Sequence, residues 1–159
     1  MRVLGVDPGY DRVGVAIMEY ENGNEVLLHS ECIETDSKQE TYLRIFAVGT
    51  RLQQLIHEHQ VDTLGIETLF FNKNVKTAMS VAEARGVIMY VAQEADCQIF
   101  EFSPQQIKIA VSGYGNSDKT AVTAMVKQLI PSVRSGALDD EYDAIAVGIT
   151  CLAHHGRSR

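Results

Sequence analysis

Twice this chain runs an apolar stretch through a glycine into a lone carboxylate: Val3-Leu4-Gly5-Val6-Asp7, then Leu64-Gly65-Ile66-Glu67. Both runs read as buried strands. Strands this apolar do not end in an acid by default, because burying an unpaired carboxylate costs several kcal/mol. A third acidic cluster, Asp139-Asp140-Glu141-Tyr142-Asp143, opens the last helical pattern. Acids on the ends of two core strands and one helix can meet at one point. Converging carboxylates repel, so a positive group is expected between them, and a hard divalent cation is the natural candidate.

The remaining pattern supplies a frame for those strands. Strands are expected at Arg2–Asp7, Gly14–Tyr20 and Val26–Ile33, with the hairpin turn Glu21-Asn22-Gly23-Asn24 between the second and third. A helix from Gln39 to His59 follows, with Leu43, Phe46, Leu52, Leu55, Ile56 and His59 assigned to one face. Then come a strand Thr63–Glu67 and a helix that Asn74 can cap, reaching about Ala95. Its small residues Ala78, Ala82 and Gly86, with Met79, suggest tight helix packing. Gln98–Phe102 reads as a fifth strand. Ser103-Pro104 starts a short helix, Asp118–Ile130 forms the next, and the last begins near Asp140 with Asp139 as its cap. A meander followed by strand–helix alternation implies an α/β fold: a mixed five-stranded sheet with helices on both faces. No repeat or linker divides the chain, so residues 1–159 are expected to form one domain.

Composition excludes several classes. With 159 residues and 45% hydrophobic content, the chain can bury a real core. No apolar stretch nears the roughly 20 residues of a membrane span. The N-terminus enters a strand directly, so no signal peptide is expected. Cys32, Cys97 and Cys151 are far apart and form no C-x-x-C pair, which suits a reduced, cytoplasmic protein without structural disulfides. The net charge of -7 argues against a nucleic-acid binder. However, metal would neutralise some acids, and net charge says nothing about distribution. The acids crowd residues 19–40, whereas Lys73, Lys76, Arg85, Lys108, Lys119 and Lys127 gather elsewhere.

Each acid also has an ordinary explanation. Asp7 sits in Asp7-Pro8-Gly9-Tyr10-Asp11, where a turn would favour it. Asp11 reads as a turn residue. Glu67 could be a core carboxylate paired to an arginine. Asp140 and Asp143 share a helical face, and first-turn acids are favoured by the helix dipole. Asp143 lies at the rim of the apolar face that Ala144–Ile149 presents, whereas Glu141 is expected in solvent. Together the four acids are more specific. Carboxylates so placed can hold two Mg²⁺ ions for phosphodiester hydrolysis. No Walker-type phosphate loop is present.

At this point the chain resembles the RuvC family of Holliday-junction resolvases, which have a ribonuclease H-like fold. The likeness runs nearly end to end. It rests on Asp7-Pro8-Gly9, Ile66-Glu67, Lys73-Asn74, Ala84-Arg85-Gly86, Asp140-x-x-Asp143-Ala144 and the loop from Gly113 to Lys119, all in the family's order and spacing. The resemblance implies that Asp7, Glu67, Asp140 and Asp143 are catalytic, metal-binding acids. The metal would be Mg²⁺, two ions per site, with Mn²⁺ able to substitute. It implies that Phe70 stacks on bases at the junction centre; the alternative for Phe70 and Phe71 is core or interface packing. Lys73 and Asn74 would touch DNA nearby, and Lys108 and Lys119 would bind phosphate or steady transition-state charge. Ordinary exposed lysines are the alternative for these two, and Arg85 could equally be structural. The resemblance further implies a homodimer that nicks two opposed strands of a four-way junction. Branch-migration proteins of the RuvA/RuvB type would be further partners. The helix around Ala78–Gly86 is the expected interface. The acidic balance predicts strong salt sensitivity of DNA contacts. Other readings are a related nuclease acting on RNA or other branched DNA, an actin-like ATP-binding fold (which needs a much longer chain), and a silent DNA-binding protein (which the intact acids disfavour). His154 and His155 are left without a role.

Overall fold

A computed structural model describes residues 1–69 and 75–156. Three strands open the chain: β1 (Arg2–Asp7), β2 (Arg12–Glu21) and β3 (Asn24–Glu34). The β2–β3 hairpin turns at Asn22 and Gly23, both at positive φ (51° and 87°), as the Asn-Gly signal predicts. The ladder therefore continues to the pair Glu21–Asn24, and both strands are longer than expected. Next come α1 (Thr41–His59), β4 (Thr63–Glu67), α2 (Val75–Glu94), β5 (Gln98–Phe102), α3 (Pro104–Ser112), α4 (Lys119–Leu129) and α5 (Asp139–His155). Asn74, the expected cap of α2, lies outside the described residues.

The sheet runs β3-β2-β1-β4-β5, with β1, β4 and β5 parallel and β2 and β3 antiparallel to their neighbours. Alternation along each strand sends side chains to opposite faces. Leu4, Val6, Val15, Ile17, Leu64 and Ile66 pack with Val48, Leu52 and Leu55 of α1 and Ile88 of α2. Val3, Ala16, Met18 and Phe102 pack with Ile107 of α3, Val126 of α4, and Ile145 and Ile149 of α5. Helices thus cover both faces, as expected.

Three expectations need correction. The buried face of α1 consists of Arg44, Val48, Gly49, Leu52, Leu55 and Ile56, while Leu43 and Phe46 are exposed. The apolar residues of α1 form two stripes, and only one meets the sheet. Gly86 of α2 is not a point of close packing within the chain: nothing among the described residues lies within 4 Å of where a side chain on it would sit. The close α1–α2 contact is made at Gly49, where an added Cβ would meet Val87 Cγ1 at 2.9 Å. Finally, α5 is capped by Leu138 rather than Asp139, which is its first helical residue. A leucine has no acceptor, so the carboxylate of Glu141 reaches back to the Leu138 N–H at 3.1 Å.

The three cysteines are free. Among the described residues no helix is long and apolar enough to cross a membrane.

Candidate active site

The recurring glycine–apolar–acid pattern has a direct structural cause. Gly5 and Gly65 are register partners on the parallel strands β1 and β4. Both face α5. A Cβ on Gly5 would lie 2.4 Å from the Ala144 carbonyl oxygen, and one on Gly65 would lie 3.1 Å from Cys151 Cβ. The glycines let α5 cross the sheet at very short range. Two residues later the same face returns, and it carries Asp7 and Glu67. They stand one residue beyond the registered pair Val6–Ile66, at the strand ends where the chain order reverses. Such switch points form the usual crevice of open α/β sheets.

The N-terminus of α5 delivers the other two acids there. Gly14, the register partner of Asp7, lies so close to the Asp140 carbonyl that an added Cβ would sit 1.9 Å from its oxygen. Asp143, Glu67 and Asp140 all lie near enough to Asp7 for their charges to act on it. Burial pushes the Asp7 carboxyl up to about 8, helped by repulsion from Asp143, Glu67 and Asp140 and opposed by Lys119. Burial likewise lifts Glu67 to about 7, with Asp143 adding to the shift and Lys108 and Lys119 opposing it. For Asp143 burial also dominates, raising its pKa despite the bond to Lys119.

Two side-chain cations already stand against the acids. Lys119 Nζ donates to Asp143 Oδ2 at 2.8 Å and lies 3.7 Å from Asp139. Burial disfavours its charge, but these acids outweigh that and hold its pKa up. Arg12 Nε lies 3.2 Å from Asp140 Oδ2. Sequence reasoning missed Arg12. The signal was the hairpin register, which puts Arg12 two residues before Gly14 on the same face of β2. Lys108 and Lys119 line a cleft with Glu67 and Asp143. A second cleft, lined by Asp7, Pro8, Glu67 and Thr68, meets the first at Glu67 and Pro104.

The chemistry of this donor set fits hard divalent cations. Four carboxylates share the site, and burial together with their mutual repulsion raises Asp7 to about 8 and Glu67 to about 7, a cost that a divalent cation among them would offset. Among the described residues no three such groups are already drawn closely enough around one point to hold an ion. Lys119 and Arg12 attract Asp143 and Asp140 to themselves instead, and binding would exchange those partners.

The arginine alternative for Glu67 is not what the structure contains. Arg85 Nε reaches only the Glu67 backbone carbonyl at 3.4 Å, and its guanidinium pairs with Glu101. Asp11 is a turn residue, paired with the buried Arg44. Glu141 corrects an expectation: it is fully buried, bound to Arg134 and Ser30. His155 stacks on Phe100 with ring centroids 3.7 Å apart, and His154 lies beside Phe102. Phe70, Lys73 and Asn74 lie outside the described residues.

Comparison with known proteins agrees with this geometry. The family profile described as "Crossover junction endodeoxyribonuclease RuvC" matches residues 3–151. The RuvC of Alkaliphilus metalliredigens is 41% identical over 156 residues, covering 98% of this chain and 94% of that one. The RuvC of Thermosipho melanesiensis is 41% identical, covering 96% and 97%. Among solved structures, Thermus thermophilus RuvC in complex with a Holliday junction substrate superposes with a TM-score of 0.89 at 26% identity, covering 99% of this chain and 95% of that one.

Proposed function

Since the chain belongs to the RuvC family of crossover junction endodeoxyribonucleases, we propose that it resolves four-way DNA junctions by paired, symmetric nicks during recombination and repair. The fold is ribonuclease H-like, as in its structural relatives. What supports this reading most is the meeting of four carboxylates and two lysines at the strand ends of a fold that matches a junction-bound RuvC over nearly its full length.

On this reading Asp7, Glu67, Asp140 and Asp143 are the catalytic acids and hold divalent cations, Mg²⁺ by preference and two per site, with Mn²⁺ as a substitute. Bound there, such ions would supply an activated water and charge stabilisation at the leaving oxygen of a phosphodiester, and the products would carry 5′-phosphate and 3′-hydroxyl ends. The chain supplies the rest. Asp7 and Glu67 are fixed by the sheet and need little reorganisation. Lys119 and Lys108, on the wall of the cleft, can bind the non-bridging oxygens of the scissile phosphate. Phe70 would stack on an unpaired base, with Lys73 and Asn74 touching the adjacent backbone.

We read residues 1–159 as one nuclease domain working as a cytoplasmic homodimer, with branch-migration proteins of the RuvA/RuvB type as further partners. The exposed face of α1 and α2 suits the dimer contact: Tyr42, Phe46, Met79 and Tyr90 are 68%, 70%, 74% and 65% exposed, and such apolar exposure marks interaction surfaces.

The test is cleavage of a labelled four-way junction beside a linear duplex, with Mg²⁺ and with EDTA. Symmetric Mg²⁺-dependent nicks confined to the junction are expected. Equal cutting of the duplex, or of RNA, would move the assignment to another nuclease of this fold.

A further inference from the structure

Glu141 lies between Asp140 and Asp143 in sequence, yet its side chain turns into the protein and is 0% exposed. Donors from two separate parts of the chain, strand β3 and the loop before α5, converge on its carboxylate. Arg134, in the loop before α5, binds both oxygens, with Nε donating to Oε2 at 3.3 Å. Ser30 Oγ, on β3, donates to Oε2 at 3.1 Å. The backbone N–H of Leu138 donates to Oε1 at 3.1 Å. A buried carboxylate with this many donors holds its neighbours in one geometry.

The backbone of α5 is seated on the sheet where Ala144 and Gly148 meet Gly5, and that of its first turn where the Asp140 carbonyl meets Gly14. Those contacts place the backbone of the turn, and the Glu141 carboxylate adds side-chain bonds that fix its orientation. The cap residue, Leu138, has no side-chain acceptor, and Asp139 is exposed. Glu141 ties this turn both to the edge strand and to the preceding loop.

We propose that Glu141 is a positioning residue for the metal-binding acids: its carboxylate fastens the first turn of α5 to Ser30 and Arg134, so that Asp140 and Asp143 face Asp7 and Glu67. The proposal rests on the reading of those four acids as the catalytic set. Glu141 touches neither substrate nor metal. It acts through the two aspartates that flank it.

The test compares the full-length chain with Glu141→Gln and with the double variant Arg134→Met/Glu141→Leu. The double variant removes both partners of the ion pair between the exposed Arg134 and the buried Glu141, so that neither charge is left without its partner. Three quantities are measured: Mn²⁺ affinity from the paramagnetic resonance signal of free ion, Mn²⁺ dependence of junction cleavage, and Tm. Misplacing metal ligands through their partners weakens metal binding about 10- to 100-fold. We expect Mn²⁺ half-saturation to rise about tenfold or more in both assays, with junction binding in EDTA unchanged and the Tm of the double variant preserved. A variant that melts like the parent and binds Mn²⁺ like the parent overturns the proposal. Loss of the folded state in both variants also overturns it, making Glu141 a folding residue. Asp140→Asn is run alongside: normal cleavage by that variant sinks the assignment of the acids themselves, whatever Glu141 does.

Discussion

Asp7 and Glu67 bind protons more tightly than ordinary carboxylates do, which couples the stability of the fold to pH. Unfolded, they titrate near 3.8 and 4.5; folded, near 8 and 7. Between those limits the folded state binds protons that the unfolded state has lost, so stability falls as pH rises across this window. Thermal melts in EDTA from pH 5 to pH 9 should show a declining Tm, with a shallower decline in Asp7→Asn/Glu67→Gln. An unchanged slope in that variant would remove these acids as the cause. Metal binding works the other way, since it needs deprotonated oxygens and strengthens as pH passes 7 to 8. A second expectation follows for Asp7→Asn alone. It should bind junctions normally and melt no lower than the parent at pH 8. Its cleavage should fall by at least about a hundredfold, the upper end of what even outer partners of a metal site cost. Near-normal nicking would sink the assignment of Asp7.

At the scale of elements, the site depends on how closely α5 approaches β1, β2 and β4. Gly14 is the tightest point, because its neighbour is the Asp140 backbone rather than a flexible side chain. In Gly14→Ala, β2 and the first turn of α5 must separate. Overpacking of this kind costs about 1–3 kcal/mol, and here it also displaces Asp140. Denaturant titration should show the stability loss, and cleavage should fall further than that loss explains. Gly23→Ala gives the contrast: it sits in an open hairpin turn at φ 87°, so any penalty is conformational and far from the acids. Equal effects on cleavage from both substitutions would refute the close-approach argument.

At the scale of the whole molecule, opposed nicks on a four-way junction suit two sites related by a two-fold axis. The exposed residues of α1 and α2 are the proposed contact. Phe46→Glu combined with Met79→Glu places charge in that patch without touching the buried faces of either helix. Sedimentation should show a dimer for the parent and a monomer for the variant, and its junction nicks should become unpaired. A parent that is monomeric at working concentration would defeat the proposed interface.

The chain's own pattern determined a good deal. Apolar runs ending in Asp7 and Glu67, the Asn22-Gly23 turn and the Ser103-Pro104 helix start are local signals with local causes, and the structure contains each of them. The strand–helix order was enough for a mixed sheet covered on both faces, because strands so apolar need cover. What only the tertiary structure decided involves partners distant in sequence. Which stripe of α1 is buried depends on where the sheet lies, so Phe46 and Leu43 were misassigned to it. The fate of Glu141 depends on Ser30, 111 residues away. The salt bridge from Arg12 to Asp140 crosses most of the chain. The sequence marks the acids because a carboxylate at the end of a buried strand is costly wherever the strand goes. It does not mark the groups that hold them, since a charged side chain reads as solvated until its partner is brought to it.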